Sequence, residues 1–101
     1  DVNLAAKGAH VLYTDVWTSM GEETNKDEKD KQFLGFSIDE QILKKANNNA
    51  IVLHCLPAYR SKEITNDVFE SDQSRIFDQA ENRLHVQQAL LASIFSEIDS
   101  N

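Results

Sequence analysis

The sequence predicts an α/β fold: a parallel sheet with covering helices, part of a Rossmann-like domain. Three observations carry this. Short apolar runs rich in β-branched or aromatic residues recur at positions 9–13 (AHVLY), 50–53 (AIVL) and 75–77 (RIF). The first two are nearly continuous rather than alternating, as in strands buried on both faces of a parallel sheet. Helical patterns separate the runs, and strand–helix alternation of this kind builds a parallel sheet covered by helices.

The chain of 101 residues allows one domain at most, with a modest core. Its first residue is Asp1, and the opening residues read as the end of a helix, so the expectation is a fragment or a processed piece. The net charge of −7 argues against nucleic acid, whose phosphates need clustered Lys and Arg. No apolar run approaches the roughly 20 residues that span a bilayer, and no signal peptide is visible. A single Cys rules out an internal disulfide and suits a reducing compartment, the cytoplasm first of all, with a mitochondrial matrix or plastid open.

The elements follow in order. After the first strand, residues 21–32 (GEETNKDEKDKQ) are almost wholly polar. They read as a solvated loop, or as a mobile lid over a site. Ser37-Ile38-Asp39-Glu40 has the S-x-x-E form of a capping box. Ile38, Ile42, Leu43 and Ala46 then recur at helical spacing, and Asn47-Asn48-Asn49 ends the element, since Asn tolerates the left-handed conformation. Thr65 is a candidate N-cap for a short helix through Val68 and Phe69. The last helix is expected from about Ala80 to Ile98, with Leu84, Leu91, Ile94, Phe95 and Ile98 along one face.

In open α/β sheets ligands bind beyond the carboxyl ends of the strands. That rule selects three loops. Asp15, after the first strand, can meet a cationic amine; Ser19 offers a hydroxyl and Gly21 close backbone approach. Capping of the next turn is the plainer use of Asp15 and Ser19. The second strand delivers His54 and Cys55, followed by Leu56-Pro57, whose bond is open to the cis form. Cys55 reads either as a thiolate able to take a proton or as a small buried apolar residue. His10, His54, His85 and Cys55 show no zinc-like spacing, so no metal is expected. The third loop is Asp78-Gln79-Ala80-Glu81-Asn82-Arg83. A cation in the first turn of a helix is disfavoured by the dipole, so Arg83 either meets an anion or pairs with a carboxylate such as Glu81.

Together these segments are far more specific than each alone. Asp15-Val16-Trp17 with Ser19-Met20-Gly21, His54-Cys55-Leu56-Pro57-Ala58, and Phe77-Asp78-Gln79-Ala80-Glu81-Asn82-Arg83 resemble the ornithine carbamoyltransferase family in order and spacing. The resemblance covers nearly the whole chain and implies the C-terminal part of an ornithine-binding domain over residues 1–101. It implies carbamoyl transfer from carbamoyl phosphate to the δ-amine of L-ornithine, giving citrulline and phosphate, by a homotrimer without metal or organic cofactor. It assigns Asp15, Ser19 and Met20 to ornithine. Cys55 becomes the proton acceptor, and His54 polarises it with Asp15 nearby. Cys55, Leu56 and Arg83 contact carbamoyl phosphate. The family's Ser-x-Arg-Thr-Arg and His-Pro-x-Gln phosphate-binding segments do not occur in these residues, so the piece alone is expected to be inactive. Two alternatives stand beside this: a sister transcarbamylase acting on putrescine or an acylated ornithine, and a non-catalytic binding or assembly module of the same fold.

Overall fold

The computed structural model describes the backbone of residues 1–99 and their side chains except those of 23 and 97–99. Asp1 starts helix α1 (Val2–Ala6) by accepting hydrogen bonds from the Asn3 and Leu4 amides. Strand β1 (Val11–Thr14) follows, then a crossover holding a 3-10 turn (Glu23–Asn25) and helices α2 (Lys26–Gln32) and α3 (Glu40–Lys45). Strand β2 (Ile51–His54), the short helix α4 (Asn66–Phe69) and the long helix α5 (Ile76–Asp99) complete the chain. The two strands are parallel, with Val11 opposite Ile51 and Thr14 opposite His54.

The α/β reading therefore holds, while several of its parts change. The third strand is reduced to one bridge, Ser74 beside Val52, because α5 starts at Ile76 rather than near Ala80. Strand β1 is an open edge: Leu12 is buried, but Val11 and Tyr13 are exposed. Polar residues 21–32 are mostly helix instead of loop. Asp27 and Glu28 in the first turn of α2 and Lys29 and Lys31 in its last complement the helix dipole. The expected capping box does not form either. Asp39 caps α3, its Oδ1 accepting from the Ile42 amide at 2.8 Å, and Ile38 instead forms a parallel bridge to Ile64. No Asn takes the left-handed conformation among the described residues; Asn47 turns the chain by accepting the Asn49 amide at its side chain. Thr65 caps α4 as expected.

The core gathers Leu12 and Val52 from the sheet, Ile38 and Ile42 from the crossover, and Ile64, Val68, Phe69 and Ile76 from the C-terminal half. Each fully buried Ile contributes roughly 1.5–3 kcal/mol. His54 and Glu63 are buried among these residues, both without accessible surface. Beyond its first turns α5 leaves the body: Leu84, Leu91, Ile94 and Phe95 are all exposed, and the side chain of Ile98 lies outside the described residues.

Candidate active site

Register builds the centre of the site. Thr14 stands opposite His54 in the parallel ladder, so the next residue of each strand, Asp15 and Cys55, emerge side by side at the sheet edge. The two side chains share a hydrogen bond. That bond, and a second from the Val16 amide at 2.7 Å, hold the Asp15 carboxyl below its usual range. Burial pushes the Cys55 thiol up, and the hydrogen bond and negative charge of Asp15 push it the same way. Arg83 acts in the opposite sense. The pair is thus an ionised carboxylate beside a protonated thiol.

The sign of this coupling is testable. Asp15→Asn removes a charge that opposes thiolate formation, so the pH midpoint of Cys55 alkylation by iodoacetamide is expected to move down, with faster labelling at neutral pH. An unchanged or higher midpoint would contradict the contact.

A second, buried layer fixes the cysteine loop. The Leu56 amide donates to His54 Nδ1 at 2.8 Å, so that nitrogen carries a lone pair. Nε2 faces Glu63 Oε1 at 2.8 Å and therefore carries the proton. Glu63 Oε1 also accepts from the Tyr59 amide at 2.7 Å. Leu56 sits at φ 59, in the left-handed region, next to the cis Leu56-Pro57 bond. For a bulky residue that conformation costs on the order of 1–3 kcal/mol and persists only where neighbours enforce it. Here the His54–Leu56 hydrogen bond and the packing of Leu56 on the core do so. Both nitrogens of His54 are thus engaged away from the thiol, and its influence on Cys55 runs through loop geometry.

The remaining predicted residues divide. Cys55 and Arg83 line one cleft, together with Tyr13, Gln79 and Asn82. Because α5 begins early, Arg83 lies about two turns into the helix rather than in its first turn. Among the described residues it has no carboxylate within ion-pair distance; Glu81 pairs with His85 at 3.5 Å instead. Ser19 and Met20 are not in this cleft. They line a neighbouring one with Trp17, Lys26, Tyr59 and Glu63, and Met20 is almost fully exposed. Asp15, His54 and Cys55 place donor atoms within 4.8 Å of one another. The Nδ1 lone pair is committed to the Leu56 amide, which leaves two donors, fewer than the three protein ligands of a catalytic zinc.

Two residues of the site were not singled out from sequence, Glu63 and Gln79. Glu63 lies in a polar stretch that looks solvated; the available signal was His54 itself, since a buried imidazole N–H requires an acceptor. Gln79 accepts from the His54 amide at 3.1 Å and donates to the Tyr13 hydroxyl at 3.0 Å.

Strand tips that set a carboxylate against a thiol, with a guanidinium lining the thiol's cleft, define a candidate ligand-binding edge of an α/β domain. Residues 1–94 match the family model described as "Aspartate/ornithine carbamoyltransferase, Asp/Orn binding domain", and the chain belongs to this family. It is 67% identical over 94 residues to an ornithine carbamoyltransferase of Prochlorococcus marinus subsp. pastoris, and 62% identical to one of Nostoc sp.; each alignment covers 93% of this chain. The chain spans only 30% and 31% of the length of these relatives. Among solved structures, the anabolic ornithine carbamoyltransferase of Campylobacter jejuni superposes with a TM-score of 0.87 at 47% identity, over 96% of this chain and 32% of that one. An N-acetyl-L-ornithine transcarbamylase superposes with a TM-score of 0.76 at 35% identity, over 92% and 29%. Among the described residues no helix is long and apolar enough to cross a membrane.

Proposed function

We propose that residues 1–101 are the C-terminal part of the ornithine-binding domain of an ornithine carbamoyltransferase. The full protein transfers the carbamoyl group of carbamoyl phosphate to the δ-amine of L-ornithine. It works as a cytoplasmic homotrimer in arginine metabolism, with a separate domain binding carbamoyl phosphate. The observation that carries this reading is the Cys55–Asp15 pair at the strand tips, with Arg83 lining the same cleft as Cys55.

The chemistry follows from charge. The ornithine δ-ammonium is not a nucleophile until it loses a proton. Cys55 is held protonated by burial and by the Asp15 charge. A substrate ammonium arriving beside Asp15 offsets that charge and lowers the thiol's hold on its proton. The thiol then releases its proton to solvent, and the thiolate takes one from the ammonium. The free amine attacks the carbamoyl carbon, and Arg83 stabilises the negative charge that develops on oxygen; the bond from that carbon to the phosphate oxygen then breaks, and phosphate leaves with the extra proton of the new C–N nitrogen. Ser19 and Met20 bind the amino-acid end of ornithine from the adjoining loop, and His54 holds the cysteine loop in register.

Among solved structures, identity to the Campylobacter jejuni ornithine carbamoyltransferase exceeds that to the acetylornithine enzyme, 47% against 35%. The test is a substrate comparison on the full-length protein: citrulline formation from L-ornithine is expected to exceed turnover of acetylornithine and putrescine by at least about 10²-fold, the cost of leaving buried polar contacts unmade. Preference for either alternative would overturn the assignment. The 101 residues alone are expected to form no citrulline.

A further inference from the structure

The early start of α5 creates a hydrogen-bonding problem at the end of β2. Val52 donates to the Gln73 carbonyl and accepts from the Arg75 amide, which is one step of a parallel ladder centred on Ser74. The next step would join the His54 amide to the Arg75 carbonyl. That carbonyl is already taken by the Gln79 amide, at 2.8 Å, in the first turn of α5. Gln79 then supplies the missing acceptor itself: its Oε1 receives the His54 amide, and its Nε2 reaches across to the Tyr13 hydroxyl. One side chain therefore ties the helix to the tips of both strands, immediately behind Asp15 and Cys55.

Among the described residues little else fixes this end of α5. Ile76 is buried in the core and Phe77 meets Phe69 edge-on, while residues 80–96 are exposed. Arg83 follows Gln79 by four residues, on the same face and in the same cleft. We propose that Gln79 is a positioning residue for the transfer site: by locking α5 to the ends of β1 and β2 it holds the Arg83 guanidinium in range of Cys55. This rests on the roles given to Cys55 and Arg83 above.

The ionisable groups around the thiol are Asp15 and Tyr13 from the β1 side, His54 backed by Glu63, and Arg83 from α5. Cys55 is the only cysteine, so alkylation reads it alone. The experiment measures the pH profile of iodoacetamide labelling in this chain for Gln79→Met, Arg83→Met and the double variant. Gln79→Met is expected to raise the midpoint and slow labelling at pH 8 by about two- to fivefold, the effect of withdrawing a guanidinium several ångströms away at aqueous dielectric. Arg83→Met is expected to do the same, and the double variant to match Arg83→Met alone. Tyr13→Phe removes one of the two Gln79 bonds and keeps the fold testable if Gln79→Met does not fold; it should shift the midpoint less, and not at all in the Arg83→Met background. A parental midpoint in Gln79→Met, or in Tyr13→Phe where that variant stands in for it, would overturn the proposal, as would shifts that add in the double variant. No substrate enters this readout, so a failed transfer assay leaves it standing.

Discussion

Replacing Cys55 by Ala in the full-length protein is expected to lower kcat/KM for ornithine by about 10²–10⁴-fold, the usual range for removing a group that moves a proton in the transition state. The loss should fall mainly on kcat. In the proposed mechanism the thiol handles the proton of the reacting amine, which lies beside Asp15, whereas Ser19 and Met20 carry the binding of the amino-acid end. The fold should tolerate the change, since Cys55 is only partly buried and its side chain is small. The pH profile gives a second criterion: the limb assigned to thiol ionisation should disappear in Cys55→Ala and persist in Asp15→Asn, displaced to lower pH. Activity within about fivefold of the parent would remove Cys55 from the mechanism, and with it the reading of the strand-tip pair as a proton-handling device.

How much of this is legible in the sequence depends on the range of the interactions involved. Asp15 and Cys55 were legible because each ends an apolar run, and a parallel sheet sends such residues to one edge. That they touch follows from the Thr14–His54 register, which no local pattern encodes. Composition hides the helix in the charged stretch 21–32, because a helix polar on every side lacks an apolar stripe; its charge order along the dipole is the better signal. The capping box at Ser37 failed through competition. Tertiary pairing draws Ile38 into a bridge with Ile64, and Asp39 then serves as the cap. Arg83 is singled out as a first-turn cation from a helix start four residues too late; two turns into α5 the dipole argument lapses, and what remains is the cleft it lines with Cys55. Glu63 and Gln79 were invisible for a common reason: each satisfies a buried donor of His54 that exists only once the chain is folded.

That dependence makes Glu63→Ala the most damaging single change expected for the fold. Alanine would leave a buried donor, the His54 Nε2–H, and a part-buried one, the Tyr59 amide, without their shared acceptor. Each unsatisfied donor costs about 1–3 kcal/mol, so a loss of about 2–5 kcal/mol is expected, a large share of what a domain of this size holds in reserve. Thermal unfolding of the chain should show it as a fall in Tm of at least about 10 °C. Glu63→Gln separates hydrogen bonding from charge. Its carbonyl oxygen can receive both donors, while its amide group replaces Oε2, which has no partner among the described residues. The glutamine variant should therefore lose no more than about 1–2 kcal/mol, the cost of one buried donor in place of one buried acceptor. The same contrast should reach the site, because the His54 hydrogen bond helps hold Leu56 at its left-handed φ: Cys55 labelling kinetics should change strongly in Glu63→Ala and weakly in Glu63→Gln. Equal damage from both variants would show that the carboxylate charge is what the core requires. Equal indifference would show that the loop bearing Cys55 is held by the packing of Leu56 alone.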